Sequence, residues 1–234
     1  MLANRSGSRN PHAGANSTHR ARASPVRAMA AVDVSVRVRR ARSSDSARLF
    51  ELVNGSYRGN GNWTHEQGLV SGPRLTLAEA HGCCALAEQE DAHSVVLVAE
   101  TLLDGADYVV GCVEVTTTDA AASLAAPGDP PRDGYLGLLS VDARYGSLGI
   151  GRTLFAAGEA LAFSHFRACA VVLFVLSVRA DILAWYTRRG YVATGLSTDA
   201  RSLIEGISSD AKLLVDAEFI ILRRRLPLEA APAC

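Results

Sequence analysis

From Val32 to Arg39 apolar and polar residues alternate one by one, the period of a strand buried on one face. Ser43-Ser44-Asp45 then supplies helix-capping residue types. Ala47, Leu49, Phe50, Leu52 and Val53 share the apolar face of a helix that breaks at Asn54-Gly55. Residues 58–73, rich in Gly and Asn around Trp63, read as a loop, and a second helix is predicted over Leu75 to Glu88. Val95 to Ala99 and Val109 to Thr116 are strands joined through a turn at Asp104-Gly105, a hairpin. A flexible Ala-, Pro- and Gly-rich connection over 118–133 leads to a strand from Tyr135 to Val141, a Gly-rich loop from Gly146 to Gly151 and a helix over 152–166. Ala170 to Val178 is a continuous apolar run, the mark of a central buried strand. A short helix from Ile182 to Arg189 stops at Gly190, and a strand follows from Tyr191 to Gly195. Residues 197–211 read as a polar loop, and Ala217 to Arg224 as the last strand. Strands and helices mix without strict alternation, which predicts an α/β (α+β) fold with a central mixed sheet flanked by helices.

Composition narrows the function. The chain has 234 residues, with 48% hydrophobic and 21% charged, the balance of a globular domain. Its longest apolar run, Ala168 to Leu176, is about half the ~20 residues of a membrane helix. Net charge is zero, but every acidic residue lies at Asp33 or beyond. The first 32 residues hold five Arg and no acid, so the rest carries 19 basic against 24 acidic residues. A body of that sign does not suit nucleic-acid binding through phosphate neutralisation. Residues 1–31 have the Arg- and Ser-rich, acid-free composition of an organellar transit peptide, mitochondrial or chloroplast. A plain disordered tail of a cytoplasmic protein has the same composition. The domain is expected over 32–227, with 228–234 as a tail.

Lys212 is the only lysine, which excludes a P-loop, whose motif needs Gly-Lys-Ser/Thr. The five cysteines, Cys83, Cys84, Cys112, Cys169 and Cys234, form no C-x-x-C, so neither a disulfide framework nor a cysteine zinc site is expected. His65-Glu66 does not continue into a zinc helix motif, and no metal is expected.

The chemistry concentrates in Leu138 to Leu154, where a strand enters a Gly-rich turn that opens a helix. The first N–H groups of a helix have no internal partner, and the dipole adds positive charge there, so such a turn can hold a pyrophosphate. Leu154 stands where a dinucleotide fingerprint needs its third Gly. By itself the turn also fits a ligand-free β–α connection. A second stretch, Ser177-Val178-Arg179-Ala180-Asp181-Ile182-Leu183-Ala184-Trp185-Tyr186, runs on to Gly190-Tyr191.

Together the two stretches resemble motifs A and B of the GNAT superfamily of acetyl-CoA-dependent N-acetyltransferases, over roughly residues 32–226. Asn54 to Gly59, Trp63 to Glu66 and Gly72-Pro73-Arg74 are similar to the first-helix and substrate-loop region of one bacterial-type branch. Three positions depart from the pattern: Gly146 replaces Arg or Gln, Ala143 replaces Pro, and residues 197–212 lack the branch's aromatic, Pro-rich loop.

The resemblance implies acetyl-CoA as cosubstrate, lying in a gap between the Tyr135–Val141 and Ala170–Val178 strands. Its pantetheine would pair with the backbone of Leu139, Ser140 and Val141. Its pyrophosphate would meet Gly146, Ser147, Leu148, Gly149, Ile150, Gly151 and Arg152. An amine of a small molecule or protein would attack the thioester directly, with the Leu139 N–H as oxyanion donor and Tyr186 as general acid. Glu114 is the candidate base and Tyr135 its rival. Each has a plainer alternative, Tyr186 as an aromatic packing residue and Glu114 as a solvent-facing strand residue. Trp63 and Tyr57 could wall the acceptor pocket. Arg37, Arg39, Arg40 and Arg42, and Arg223 to Arg225, read as solvated chain ends. The rival function is a non-catalytic acyl-CoA-binding or regulatory module on the same fold; a nucleotide-binding domain fits less well. The protein is expected to be a monomer or homodimer, with no nucleic acid or membrane partner.

Overall fold

The computed structural model describes residues 35–59, 61–117, 133–207 and 210–226. The proposed transit segment, the start of the first strand, most of the 118–133 connection and the C-terminal tail lie outside the described residues. All that follows belongs to one compact unit, Val34–Cys234.

The described residues form nine strands: β1 (Arg37–Arg40), β2 (Val70–Ser71), β3 (Ser94–Leu103), β4 (Ala106–Thr117), β5 (Asp133–Val141), β6 (Ala170–Leu176), β7 (Val192–Asp199), β8 (Lys212–Leu213) and β9 (Glu218–Arg225). Among the described residues five α-helices accompany them: α1 (Ser46–Arg58), α2 (Leu77–Ala87), α3 (Ile150–Ser164), α4 (Ala180–Thr187) and α5 (Ala200–Ile207). Seven strands make one mixed sheet in the order β1-β3-β4-β5-β6-β9-β7, while β2 and β8 form a separate ribbon. Among the described residues only β5 and β6 run parallel. The expected mixed sheet flanked by helices is the architecture found.

Local chemistry explains the elements. Asp104 and Gly105 both adopt positive φ, 50° and 81°, as a tight hairpin turn requires. They bring β3 against β4, with Val98 opposite Cys112 and Val95 opposite Val115. Helix α2 starts at Thr76, whose Oγ1 accepts from Glu79 N–H at 3.2 Å while Glu79 Oε2 accepts from Thr76 N–H at 2.7 Å. Such reciprocal caps stabilise a helix by about 1 kcal/mol. The apolar faces of α1, α2 and α3 bury Leu49, Val53, Cys84 and Leu154 against Val96, Val98, Val110 and Val113.

Four expectations change. Helix α1 does not break at Asn54-Gly55 but runs to Arg58. The Asn54 amide donates to Phe50 O at 3.0 Å and Leu75 O at 2.8 Å, and its Oδ1 accepts from Arg74 N–H, so it ties the helix to the following loop. Residues 197–211 are not a polar loop: β7 continues to Asp199, whose carboxylate caps α5 through Ser202 N–H at 2.8 Å. Ala200 and Ile204 then pack with Val70, Leu176 and Leu213 in a second small cluster. The arginines of β1 are not a solvated end. Arg39 binds Glu100 and Asp45, both at 2.6 Å, and Glu100 is buried. Arg223 likewise holds the fully enclosed Asp133 carboxylate at 2.6 Å, and Arg224 holds Glu159 at 2.8 Å.

Candidate active site

Strands β5 and β6 pair only at Asp133↔Ala170, Gly134↔Val171 and Tyr135↔Val172. Beyond that point they part, and two spaces that share Leu139 open between and beside them. Strand β5 also carries a bulge. Cys112 opposes Ser140 and Glu114 opposes Gly137, so three steps along β5 match two along β4. Leu138 takes up the extra residue at φ 50°, a conformation costly for a branched side chain. Its carbonyl accepts from Cys112 Sγ at 3.4 Å and Ser140 Oγ at 3.1 Å. Burial pushes the Cys112 thiol up to about 12, which makes it an inert core group.

The larger space, about 730 Å³, is lined by Gly146 to Arg152, with Leu139, Val141, Trp63, Trp185 and Arg189. Gly149 starts α3 at φ 80°, a conformation only Gly adopts cheaply, and no side chain caps the helix. The first N–H groups of α3 therefore remain available, at the positive end of a 15-residue helix. Arg152 folds back over this turn: a Cβ on Gly149 would lie 3.6 Å from its guanidinium. Arg189 lies across the Trp185 ring at 3.2 Å. Upstream, Asp142 fixes the loop by accepting from Arg144 N–H at 3.0 Å and Arg48 at 2.6 Å. The Arg144 side chain, helped by Arg48, holds the Asp142 carboxyl down at about 2. Gly146, where the resemblance expects Arg or Gln, sits at φ −59°, so the backbone does not demand glycine there.

The second space, about 340 Å³, lies between Leu136 to Leu139 on one strand and Leu173 and Phe174 on the other. Tyr186 is part of its lining, and Leu203, Ile204 and Phe219 close its outer wall. A smaller recess also holds Leu139 and Tyr186, with Trp63 and Glu66. Leu139 is thus common to all three spaces. Tyr186 packs among Phe155, Trp185 and Tyr191, with ring centroids 5.4, 4.9 and 5.8 Å away. Burial, with Tyr135 nearby, pushes the Tyr186 phenol well above its ordinary value. The aromatic packing role and the placement at the cavity therefore coexist.

Of the residues singled out in the sequence, Leu139, Val141, the 146–152 loop and Tyr186 come together. Ser140 is buried on β5 and bonded to Leu138 O rather than lining a cavity. Glu114 does not itself line the Tyr186 cavity; half-buried on β4 opposite Gly137, it accepts from Ser94 Oγ at 2.9 Å, and its charge acts on Tyr135 and Arg74 of the lining. Tyr135 does line it, folded over Gly137 so closely that a Cβ there would lie 2.9 Å from its hydroxyl. Tyr57 lines the Tyr186 cavity and the smaller recess, and Trp63 lines that recess and the groove.

Four further residues went unassigned from sequence. Arg58, Glu66 and Arg74 line the Tyr186 cavity, with Arg58 bound to Glu66 at 2.5 Å. Arg179 donates to Trp63 O at 2.7 Å and also to His65 O, and its ion pair with Asp181 completes a clamp on the 63–65 loop. The only signal for Arg74, Glu66 and Arg179 is their place within the family-like stretches quoted above. Among the described residues no group of three or more His, Cys, Asp or Glu could hold a metal ion, and no helix is long and apolar enough to cross a membrane.

The model of the Acetyltransferase (GNAT) family matches residues 52–191. No curated protein matches the chain. Among solved structures, Arabidopsis thaliana NAA60 in complex with a bisubstrate analogue superposes with a TM-score of 0.59 at 14% identity, over 82% of this chain and 100% of that one. The putative acetyltransferase yncA from Salmonella typhimurium, with its cofactor acetyl-CoA, gives 0.53 at 17% identity, over 86% and 99%. Ribosomal-protein-alanine N-acetyltransferase from Brucella melitensis gives 0.54 at 19% identity, over 81% and 99%. At these identities the structural likeness speaks to fold alone. The family match covers more than half of the chain and includes the parted strands, the α3 turn and Tyr186, and by it the chain belongs to the acetyltransferase (GNAT) family of acyltransferases.

Proposed function

We propose that the protein moves an acetyl group from acetyl-CoA to the primary amine of a small molecule by direct attack. The observation that carries this reading is the parting of β5 and β6 beyond Tyr135 and Val172. A glycine-lined groove lies on one side, a Tyr186 cavity on the other, and Leu139 is shared by both. Two similar structures, those of NAA60 and yncA, contain a bisubstrate analogue and acetyl-CoA respectively, which supports the choice of donor.

In this reading the α3 turn holds the pyrophosphate through backbone N–H groups, with Arg152 and Arg189 adding charge-assisted contacts. The amine nitrogen attacks the thioester carbonyl carbon from the Tyr186 cavity. The Leu139 N–H, at the bulge, donates to the oxyanion, a contact worth on the order of 3 kcal/mol. As the C–S bond breaks, the sulfur takes the Tyr186 proton; the raised phenol keeps that proton available throughout the neutral range. An alkylammonium must first lose a proton. Glu66 lines the cavity and Glu114 does not, so we assign Glu66 as its acceptor, directly or through water.

Tyr186→Phe tests the assignment. Turnover should fall about a hundredfold while acetyl-CoA affinity stays within about twofold. Unchanged turnover would remove Tyr186 from the chemistry.

A further inference from the structure

The general acid and the proton acceptor assigned above sit on different elements. Tyr186 belongs to α4, whereas Glu66 belongs to the loop after α1. That loop serves more than one space. Gly61 to Thr64 line the groove, Glu66 lines the Tyr186 cavity, and Trp63, Thr64 and Glu66 line the smaller recess. Its backbone support is thin. The His65 N–H donates to Asn62 O at 3.2 Å and the Glu66 N–H to Tyr57 O at 2.7 Å. Among the described residues no backbone N–H donates to the carbonyl of Trp63 or of His65.

Arg179 takes both carbonyls. Its Nη2 donates to Trp63 O at 2.7 Å and its Nη1 to His65 O, while Nε and Nη2 hold the Asp181 carboxylate at 2.9 and 2.8 Å. Four of the five guanidinium donors are thereby used. The residue is buried, 8% exposed, and lines the recess together with Tyr186 and Glu66. Asp181 stands in the first turn of α4, where the helix dipole favours a carboxylate. The planar fork is thus a rigid bracket between the start of α4 and the loop. Near the end of α4 the Trp63 ring packs on Trp185, centroids 4.9 Å apart, so the helix grips the loop twice. Arg58 holds the Glu66 carboxylate at 2.5 Å, which fixes that side chain from α1 while Arg179 fixes the backbone just before it.

We propose that Arg179 is a positioning residue for the transfer, setting Trp63 and Glu66 against Tyr186 without touching the reacting atoms. The inference rests on the transferase reading above and deepens it by naming what aligns the two proton-transfer groups. Proton transfer is steep in geometry, so a loop released from α4 lowers the rate even where the fold and the cosubstrate groove survive.

The test uses the full chain with acetyl-CoA, isoamylamine and phenethylamine as the amine probes, and CoA release as the rate. Trp63 and Trp185 are the only two tryptophans of the chain, so tryptophan emission reports their contact directly. Arg179→Met should shift that emission to the red and lower kcat/KM about tenfold, as much as Glu66→Gln, with acetyl-CoA affinity within about threefold. Beside Glu66→Gln the same substitution should cost no more than about twofold, because the bracket then has no proton acceptor to place. Arg179→Lys should keep part of the rate, since an ammonium reaches one acceptor but does not span three. Asp181→Asn alters a half-exposed carboxylate and serves if Arg179→Met does not fold. It should give the same red shift and a loss of about threefold that also vanishes beside Glu66→Gln. Equal losses in the two backgrounds would overturn the inference and leave Arg179 a stabiliser of the fold alone. So would unchanged emission and rate in Arg179→Met, or acetyl-CoA binding with neither amine acetylated. Absence of acetyl-CoA binding would overturn the transferase reading itself, a separable result.

Discussion

Tyr186 is where packing and chemistry meet. The ring clustered with Phe155, Trp185 and Tyr191 also lines the cavity, and burial raises its proton affinity. The pH profile should show it. Turnover should rise as the amine deprotonates and show no alkaline fall until above the ordinary phenol value near ~10. A fall centred at or below that value, absent in Tyr186→Phe, would contradict the shift. The two carboxylates separate in the same way. Glu66→Gln should lower kcat/KM about tenfold below the amine's pKa, while Glu114→Gln should stay within about twofold. Gly137→Ala should displace the Tyr135 ring, because a Cβ would lie 2.8 Å from its Cε1. A drop in acceptor affinity without loss of acetyl-CoA binding is the expected reading. Tyr186 and the α3 turn were legible in the sequence because each belongs to a contiguous motif. Glu66 and Arg74 were not, since their meaning depends on which elements the fold brings to one cavity, and only three-dimensional contact shows Glu66 bonded to Arg58 and Arg74 beside the Tyr57 ring.

At the scale of elements, the loop after β5 depends on Asp142. Its folded-state carboxyl is depressed to about 2, first by the Arg144 side chain and then by Arg48. A depressed carboxyl contributes stability that is present above its unfolded value near ~4 and is lost as pH falls toward the folded one. Arg144 is largely exposed, which weakens that pair. Asp142→Asn should therefore cost about 1 kcal/mol at pH 7 and almost nothing near pH 2, measured by urea unfolding. An equal loss at both pH values would assign its role to packing. Strands built on apolar, β-branched runs, such as β3, β4 and β6, were read correctly from the pattern, with ends shifted by a few residues. Helix α5 was missed although Ala200, Leu203, Ile204 and Ile207 stand at i, i+3, i+4 and i+7, because the Ser, Thr and Asp residues on either side drew the whole stretch into a loop reading. The end of α1 was misread because Asn54, a common breaker, spends its side chain on Phe50 O and Leu75 O instead of on its own turn. The arginine runs looked solvated because their acidic partners Glu100, Asp133 and Glu159 are distant in sequence.

For the whole molecule, the sheet acts as a wedge. Five of the six junctions in its seven-stranded order are antiparallel, and the parallel β5–β6 junction is left incomplete beyond Tyr135. Ligand groups can then use the backbone that the missing pairs leave over. The family was legible from two motifs, whereas the acceptor was not, because its cavity draws on α1, the loop before α2, β5, β6, α4 and α5 together. The central claim is that the groove between these strands holds acetyl-CoA. The most direct measurement is calorimetric titration of the full chain with acetyl-CoA and with CoA. The account predicts binding of both with a Kd of about micromolar order, weakened about tenfold in Arg189→Ala through loss of one charge-assisted phosphate contact. No binding at about millimolar ligand, roughly −4 kcal/mol or weaker, would contradict it.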